Sequence, residues 1–186
     1  FVRNGTTDFV VLLVCSTSVY AAVALPNHVG RADEPTLDGR AYINDSHPGE
    51  AEAIRWMDRE IAGQPNIVTA APAGYYWTPE EGKGASAPAS LTGIPTAAGW
   101  HHERGYRGAE AFRARVTDVA TIYEGPAERQ AALLRAYDVQ YVYLGPAERA
   151  RYDVTIRDLP GLSVAHSSGS QDGVVIYAVD HDELPS

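Results

Sequence analysis

From position 9 to 25 the chain reads FVVLLVCSTSVYAAVAL, uncharged throughout and polar only at Ser16, Thr17 and Ser18. A run that is apolar on every side predicts a helix with no face to turn toward water. At about 1.5 Å per residue it would span roughly 26 Å, slightly under the ~30 Å hydrocarbon core of a bilayer. Three readings stay open: a membrane helix, a secretory leader with Arg3 before it and Ala22-Val23-Ala24 at its end, and a helix buried in a soluble domain. Arg3 on one side, with Arg31, Asp33 and Glu34 on the other, does not set an orientation. A chain that opens on Phe1 reads as a piece of a longer protein. Residues 1–27 are therefore expected to be the last transmembrane helix, ended by Pro26-Asn27, and residues 28–186 a separate domain.

Beyond it the pattern changes. Residues 28–47 read as an extended linker with turns. Ser46 as a capping hydroxyl, Pro48 in the first turn and Glu50 and Glu52 near the positive end of the dipole predict a helix start. Ile54, Met57 and Ile61 recur at helical spacing, with Trp56 nearby, and Gly63 supplies a stop. NIVTAA at 66–71 reads as a first strand closed by Pro72. Val116, Val119, Ile122 and Tyr123 mark another helix, and Gly125-Pro126 opens the next, with Ala131, Leu133 and Leu134 facing a core. YVYLG at 141–145 reads as a buried strand feeding a turn at Pro146. LSVAHSS at 162–168 and GVVIYAV at 173–179 flank Gly169-Ser170-Gln171-Asp172 as a terminal hairpin. GPAER occurs twice, at 125–129 and 145–149, without matching surroundings, as two helix starts sharing one solution.

The fold class that follows is α/β. A small mixed sheet is expected, with a parallel core and a C-terminal antiparallel hairpin, flanked by helices and preceded by one apolar N-terminal helix. In such a sheet the carboxyl edge of the parallel strands is the default binding crevice.

Composition narrows the function classes. The 186 residues hold 24 acidic and 15 basic side chains, a formal charge of −9, which argues against a nucleic-acid partner. The single cysteine, Cys15, excludes an internal disulfide framework and a multi-cysteine zinc site. Lys83 is the only lysine among the basic residues, a balance that fits a salt-adapted organism or GC-rich codon bias. APAGYYW after the first strand lacks the glycine spacing of a dinucleotide site, and neither a P-loop nor a GxSxG turn occurs.

Residues 72–107 hold six glycines and four prolines, together with Tyr75, Tyr76, Trp77 and Trp100. Connections this long within a domain are uncommon and often functional, although a covering loop whose aromatics plug the sheet end fits as well. The densest polar cluster is GWHHERGYR at 99–107. Here His101, His102 and Glu103 offer metal ligands or a general acid or base, and Arg104 or Arg107 an anion clamp. The spacing is not HExxH, and adjacent side chains point apart in extended chain, so no metal or other cofactor is assigned, although a divalent ion stays open. Equally, Glu103 could simply pair with an arginine while Trp100 and Tyr106 pack on the domain. Asp38, before Gly39, reads as a catalytic carboxylate or a turn former. Asp118 reads as a solvated or paired acid, and His166 as facing solvent or a neighbouring strand.

PTLDGRAYI, AIRWM, a strand ending in AAP, LTGIPTAAGWHHERGYRG, DVATIYEG, LLRAYDVQYVYLGPAERARY and GVVIYAV follow one another in this order. As a set, over roughly 35–179, they resemble the C-terminal portion of the archaeal and chloroflexal "YYY" integral membrane proteins, themselves similar to GT-C glycosyltransferases that use lipid-linked sugars. The family-like positions are Asp38, Gly39, Trp100, His102, Glu103, Arg107, Tyr143 and Gly145, with Tyr106 standing where a tryptophan is expected. The resemblance implies an archaeal source and an extracytoplasmic domain at the cell membrane, and the acidic, lysine-poor composition is what fits a halophilic one. It also implies contact with the rest of a parent membrane protein and help in binding a lipid-linked sugar or a glycan acceptor. The catalytic acid of such enzymes lies on an early outer loop outside this chain. The ligand-binding candidates are then Trp100, His101, His102, Glu103, Arg107, Asp38, Tyr75 and Tyr76. A structural or interaction domain capping a membrane protein is the alternative reading, and a metal-dependent hydrolase built on His101, His102 and Glu103 a third.

Overall fold

The computed structural model describes residues 5–29, 38, 40–74, 78–81, 83, 86–169 and 173–186, with backbone alone at 5, 6, 20–29 and 80. The chain divides into two compact units, Phe1–Gly39 and Arg40–Ser186.

The first unit contains helix α1, Gly5–Val29. Its described apolar side chains, among them Phe9, Leu12 and Val19, are exposed. Ser16 and Ser18 turn their hydroxyls inward, donating to Leu13 O and Val14 O at 2.8 Å each, which satisfies them without water. Among the described residues, no helix is long and apolar enough to cross a membrane.

The second unit is a mixed α/β domain. Its helices are α2 (Ala41–Ser46), α3 (Pro48–Glu60), α4 (Ala87–Thr92), α5 (Glu103–Arg107), α6 (Ala109–Glu124), α7 (Ala127–Ala136) and α8 (Pro146–Arg151). Its strands are β1 (Asn66–Val68), β2 (Val139–Leu144), β3 (Leu162–Ser167) and β4 (Val175–Val179), in the sheet order β1-β2-β4-β3. The β1–β2 pair is parallel and the other two are antiparallel. The hairpin therefore joins the sheet through its second strand. Ile176 on β4 is fully buried whereas Ser163, Val164 and Ala165 on β3 face out, so the more apolar strand takes the inner place.

Alternation along the strands builds two cores. Val68 and Val142 pack with Val119, Ile122, Tyr123 and Leu134 from α6 and α7. Their neighbours Ile67 and Tyr143 face the other way, onto Ala53, Met57 and Ile61 from α3 and its end. Helices thus cover both faces of the sheet.

Three local expectations are corrected. Positions 41–46, read as extended linker, form α2. Ser46 does not cap α3: its hydroxyl donates back to Tyr42 O at 2.6 Å, and His47 occupies the capping position instead. The carboxyl edge of the parallel pair is not a crevice but is filled. Buried Glu148 accepts the Ala70 N–H at 2.7 Å and the Gly145 N–H at 2.9 Å. Beside it, the Tyr152 hydroxyl bridges both the N–H and the carbonyl of Ala71 at 3.0 Å each.

After β1 the chain makes its long detour and returns to run beside the same strand. Ile67 N–H donates to Pro95 O at 2.9 Å and Ala97 N–H to Ile67 O at 3.0 Å. Further along, Ala73 N–H donates to Gly99 O at 3.0 Å and His101 N–H to Ala73 O at 3.1 Å. Arg115 from α6 holds this return leg through Ala97 O at 2.9 Å. The leg covers the outer edge of β1 and delivers the GWHHERGYR cluster to a defined place.

Candidate functional site

The cluster starts where the return leg leaves β1. Trp100 is 42% exposed, and its ring, with those of His101 and His102, forms a short aromatic group. The two imidazoles lie 4.3 Å apart, centroid to centroid, and His101 Nδ1 sits 3.3 Å from Ala73 O. Glu103 opens α5 and turns inward. Its Oε1 accepts the Gly99 N–H at 2.9 Å, and its Oε2 accepts Arg107 Nε at 2.7 Å, one helical turn on. A Cβ at Gly99 would lie 3.0 Å from Glu103 Oε1, close enough that the carboxylate would have to shift by a few tenths of an ångström. Arg107 also lies beside the Tyr106 ring, 5.9 Å from its centroid, and Tyr106 is the most exposed aromatic of the cluster.

Two open clefts flank this staple. One, of about 370 Å³, lies between α4 and the return leg, and its walls include Ser86, Ser90, Thr96, Gly99, Trp100 and Glu103. The other, of about 580 Å³, sits at the start of α6 and is lined by Arg107, Gly108, Ala109, Glu110, Ala111 and Ala114. The structure therefore brings Trp100 and Glu103 to one cleft and sets Arg107 in the other. Asp38 is exposed and belongs to the first unit. Tyr75 and Tyr76, with Trp77, lie outside the described residues.

Each carboxylate oxygen of Glu103 already accepts a hydrogen bond, which fixes the group's orientation, and Arg107 offsets its charge. Among the described residues, no group of three or more His, Cys, Asp or Glu side chains is placed to hold a metal. The arrangement suits binding through an aromatic face better than proton transfer.

Sequence reading overlooked the buried polar group at the carboxyl end of the sheet. Glu50 from α3 accepts the Tyr143 hydroxyl at 3.3 Å. Tyr123 donates toward the carbonyls of Tyr143 and Val68, at 2.6 and 3.0 Å. Burial pushes the Glu148 carboxyl up from its ordinary value, against the pull of its backbone N–H partners. Burial likewise raises the phenols of Tyr123 and Tyr143 well above theirs, aided by nearby Glu148 and, for Tyr143, more strongly by Glu50. These phenols remain neutral donors. One signal was present: Glu50 falls on the same helical stripe as Ala53, Ile54, Met57 and Ile61, which marks it as inward-facing.

His166 stacks on Trp56 with centroids 4.9 Å apart, and its Nε2 lies 3.9 Å from Glu52 Oε1. The Asp118 carboxylate accepts the Tyr137 hydroxyl at 2.5 Å, and burial with that contact pushes the phenol up to about 12. Both residues are thus tied to neighbours within the fold.

No family model and no curated protein matches the chain.

Proposed function

We propose that residues 28–186 form the extracytoplasmic tail domain of a membrane-embedded, glycosyltransferase-like protein, where the domain helps bind a glycan acceptor or lipid-linked donor. The apolar run at 9–25 is the tether in this reading and continues to the rest of the parent protein. The observation that carries the binding role is Trp100, exposed at the rim of the 370 Å³ cleft whose walls include Ser86, Ser90 and Thr96. An exposed indole beside hydroxyls offers a stacking face and hydrogen bonds to a sugar ring. In this reading the catalytic acid lies on an early outer loop of the parent protein, so the chain alone is expected to bind and not to turn over. Titration of the 186-residue chain in detergent with a panel of glycans and polyprenyl-phosphate sugars tests it. Saturable binding of either class supports the reading, and silence toward both overturns it.

The Glu103 staple favours a second reading. A carboxylate tied to Gly99 and Arg107 is what a domain that merely caps a membrane bundle would also contain. Co-purification of the chain with membrane proteins, unchanged by Trp100→Ala, would support that role. A metal-dependent hydrolase draws least from this geometry, since Arg107 already offsets the charge of the Glu103 carboxylate that would ligate the ion.

A further inference from the structure

Resting on the sugar-binding reading above, the geometry points to an uncharged saccharide as the occupant of the Trp100 cleft, which leaves a donor's phosphate outside it. The argument is one of charge and placement. Glu103, an acid, is the one charged residue among the described lining of this cleft. The arginine that would answer a phosphate, Arg107, lines the neighbouring cleft and holds Glu103 through Nε. A phosphate or uronate entering beside Trp100 would find Glu103, and no cationic side chain, on the described walls, on a chain of net charge −9. The cleft is open and Arg107 offsets part of the Glu103 charge, so the repulsion is modest, but no cation on the described walls rewards an anion.

What remains on the walls suits a neutral ring. Trp100 supplies the flat face, and Ser90 on the exposed side of α4 supplies a hydroxyl. Ala89, Ile94 and Pro95 supply apolar surface for the C–H face of a pyranose. At about 370 Å³ the cleft is at the small end of ligand sites, which run roughly 300–1,000 Å³. Such a site holds one part of a glycan and not a lipid-linked chain, so the ligand class is the neutral end of an acceptor.

Three matched ligands test this on the full chain: a neutral oligosaccharide, the same sugar carrying a uronate or a phosphate, and inorganic phosphate alone. Binding is followed by NMR shifts of the Trp100 indole N–H in the native chain and of the Gly99 and Ser90 backbone amides in every variant. The neutral sugar is expected to bind, its anionic counterpart about tenfold more weakly, and phosphate not at all. Trp100→Ala should weaken neutral binding by about tenfold with the remaining amide spectrum unchanged. Ser90→Lys, on an exposed helical position, should reverse the preference toward the anionic sugar. If the anionic sugar binds the native chain as well as the neutral one, the charge inference falls while sugar binding stands. If neither sugar binds, the sugar-binding reading and this inference fall together. If both bind and Trp100→Ala changes nothing, the cleft is the wrong place.

Discussion

The pentapeptide GPAER opens two helices, and the two copies end in opposite environments. At 125–129 it links α6 to α7, and Glu128 and Arg129 are exposed. At 145–149 it links β2 to α8, and Glu148 is 1% exposed, accepting backbone N–H groups from Ala70 and Gly145. Arg149 reaches the carbonyls of Leu144 and Gly173 at 3.1 and 2.5 Å. Identical residues give the same local result, a helix started by proline, because that depends on backbone chemistry alone. Their energetic roles diverge because one follows a surface helix and the other a central strand. Only a strand-to-helix turn carries the glutamate, the fourth residue, over the end of the parallel pair.

That contrast can be broken most sharply at the glutamates. Glu148→Ala leaves two buried N–H groups without their acceptor and should cost about 4 kcal/mol, at roughly 1–3 each, whereas Glu128→Ala should stay within about 0.5 kcal/mol. Urea unfolding of both variants checks the pair, and similar midpoints would mean that the two copies are equivalent.

Glu148→Gln isolates the ionisation. Because burial raises the Glu148 carboxyl in the folded state, its contribution is fully present below the ordinary value of 4.5 and is lost as pH rises through the folded-state value. Native stability measured relative to the glutamine variant should therefore decline as pH rises above 4.5. A pH-independent difference would contradict this assignment.

The glycines should behave alike, which sharpens the comparison from the other side. A Cβ on Gly125 would lie 2.6 Å from Thr121 O, and one on Gly145 2.7 Å from the Tyr143 ring. Each alanine substitution should cost about 2 kcal/mol through overpacking, read as a lowered thermal midpoint. Between the copies, a smaller difference than at the glutamates is expected at the arginines. Arg149→Ala should cost about 1 kcal/mol through its lost carbonyl contacts, and Arg129→Ala almost nothing by the same measurement.

The elements were legible wherever the signal was local. Periodicity marked α3, α6 and α7, β-branched and aromatic runs marked β2 and β4, and the parallel pair followed from the helices between β1 and β2. Local chemistry misled at Ser46, because its hydroxyl found a carbonyl one turn back inside α2 instead of an N–H ahead. The buried polar group was hidden because its members meet across distance in sequence. Glu148 and Ala70 are 78 positions apart, and Glu50 and Tyr143 are 93 apart. Within GWHHERGYR the Glu103–Arg107 contact was readable from its i, i+4 spacing, while the separation of Trp100 and Arg107 into different clefts was not. That separation depends on how the return leg docks on β1 and where α4 lies.

The hydrogen bonds that stitch the return leg to β1 divide the Trp100 cleft into one fixed jaw and one exchangeable jaw. Trp100 takes its address from Ala73, a few residues past β1, which bonds to Gly99 and His101 on either side of it. The opposite wall, on α4, belongs to the detour between Gly74 and Pro95. Substitutions or insertions in that stretch can therefore recast what the indole grips without moving the indole, which makes it the natural place to engineer a new ligand preference.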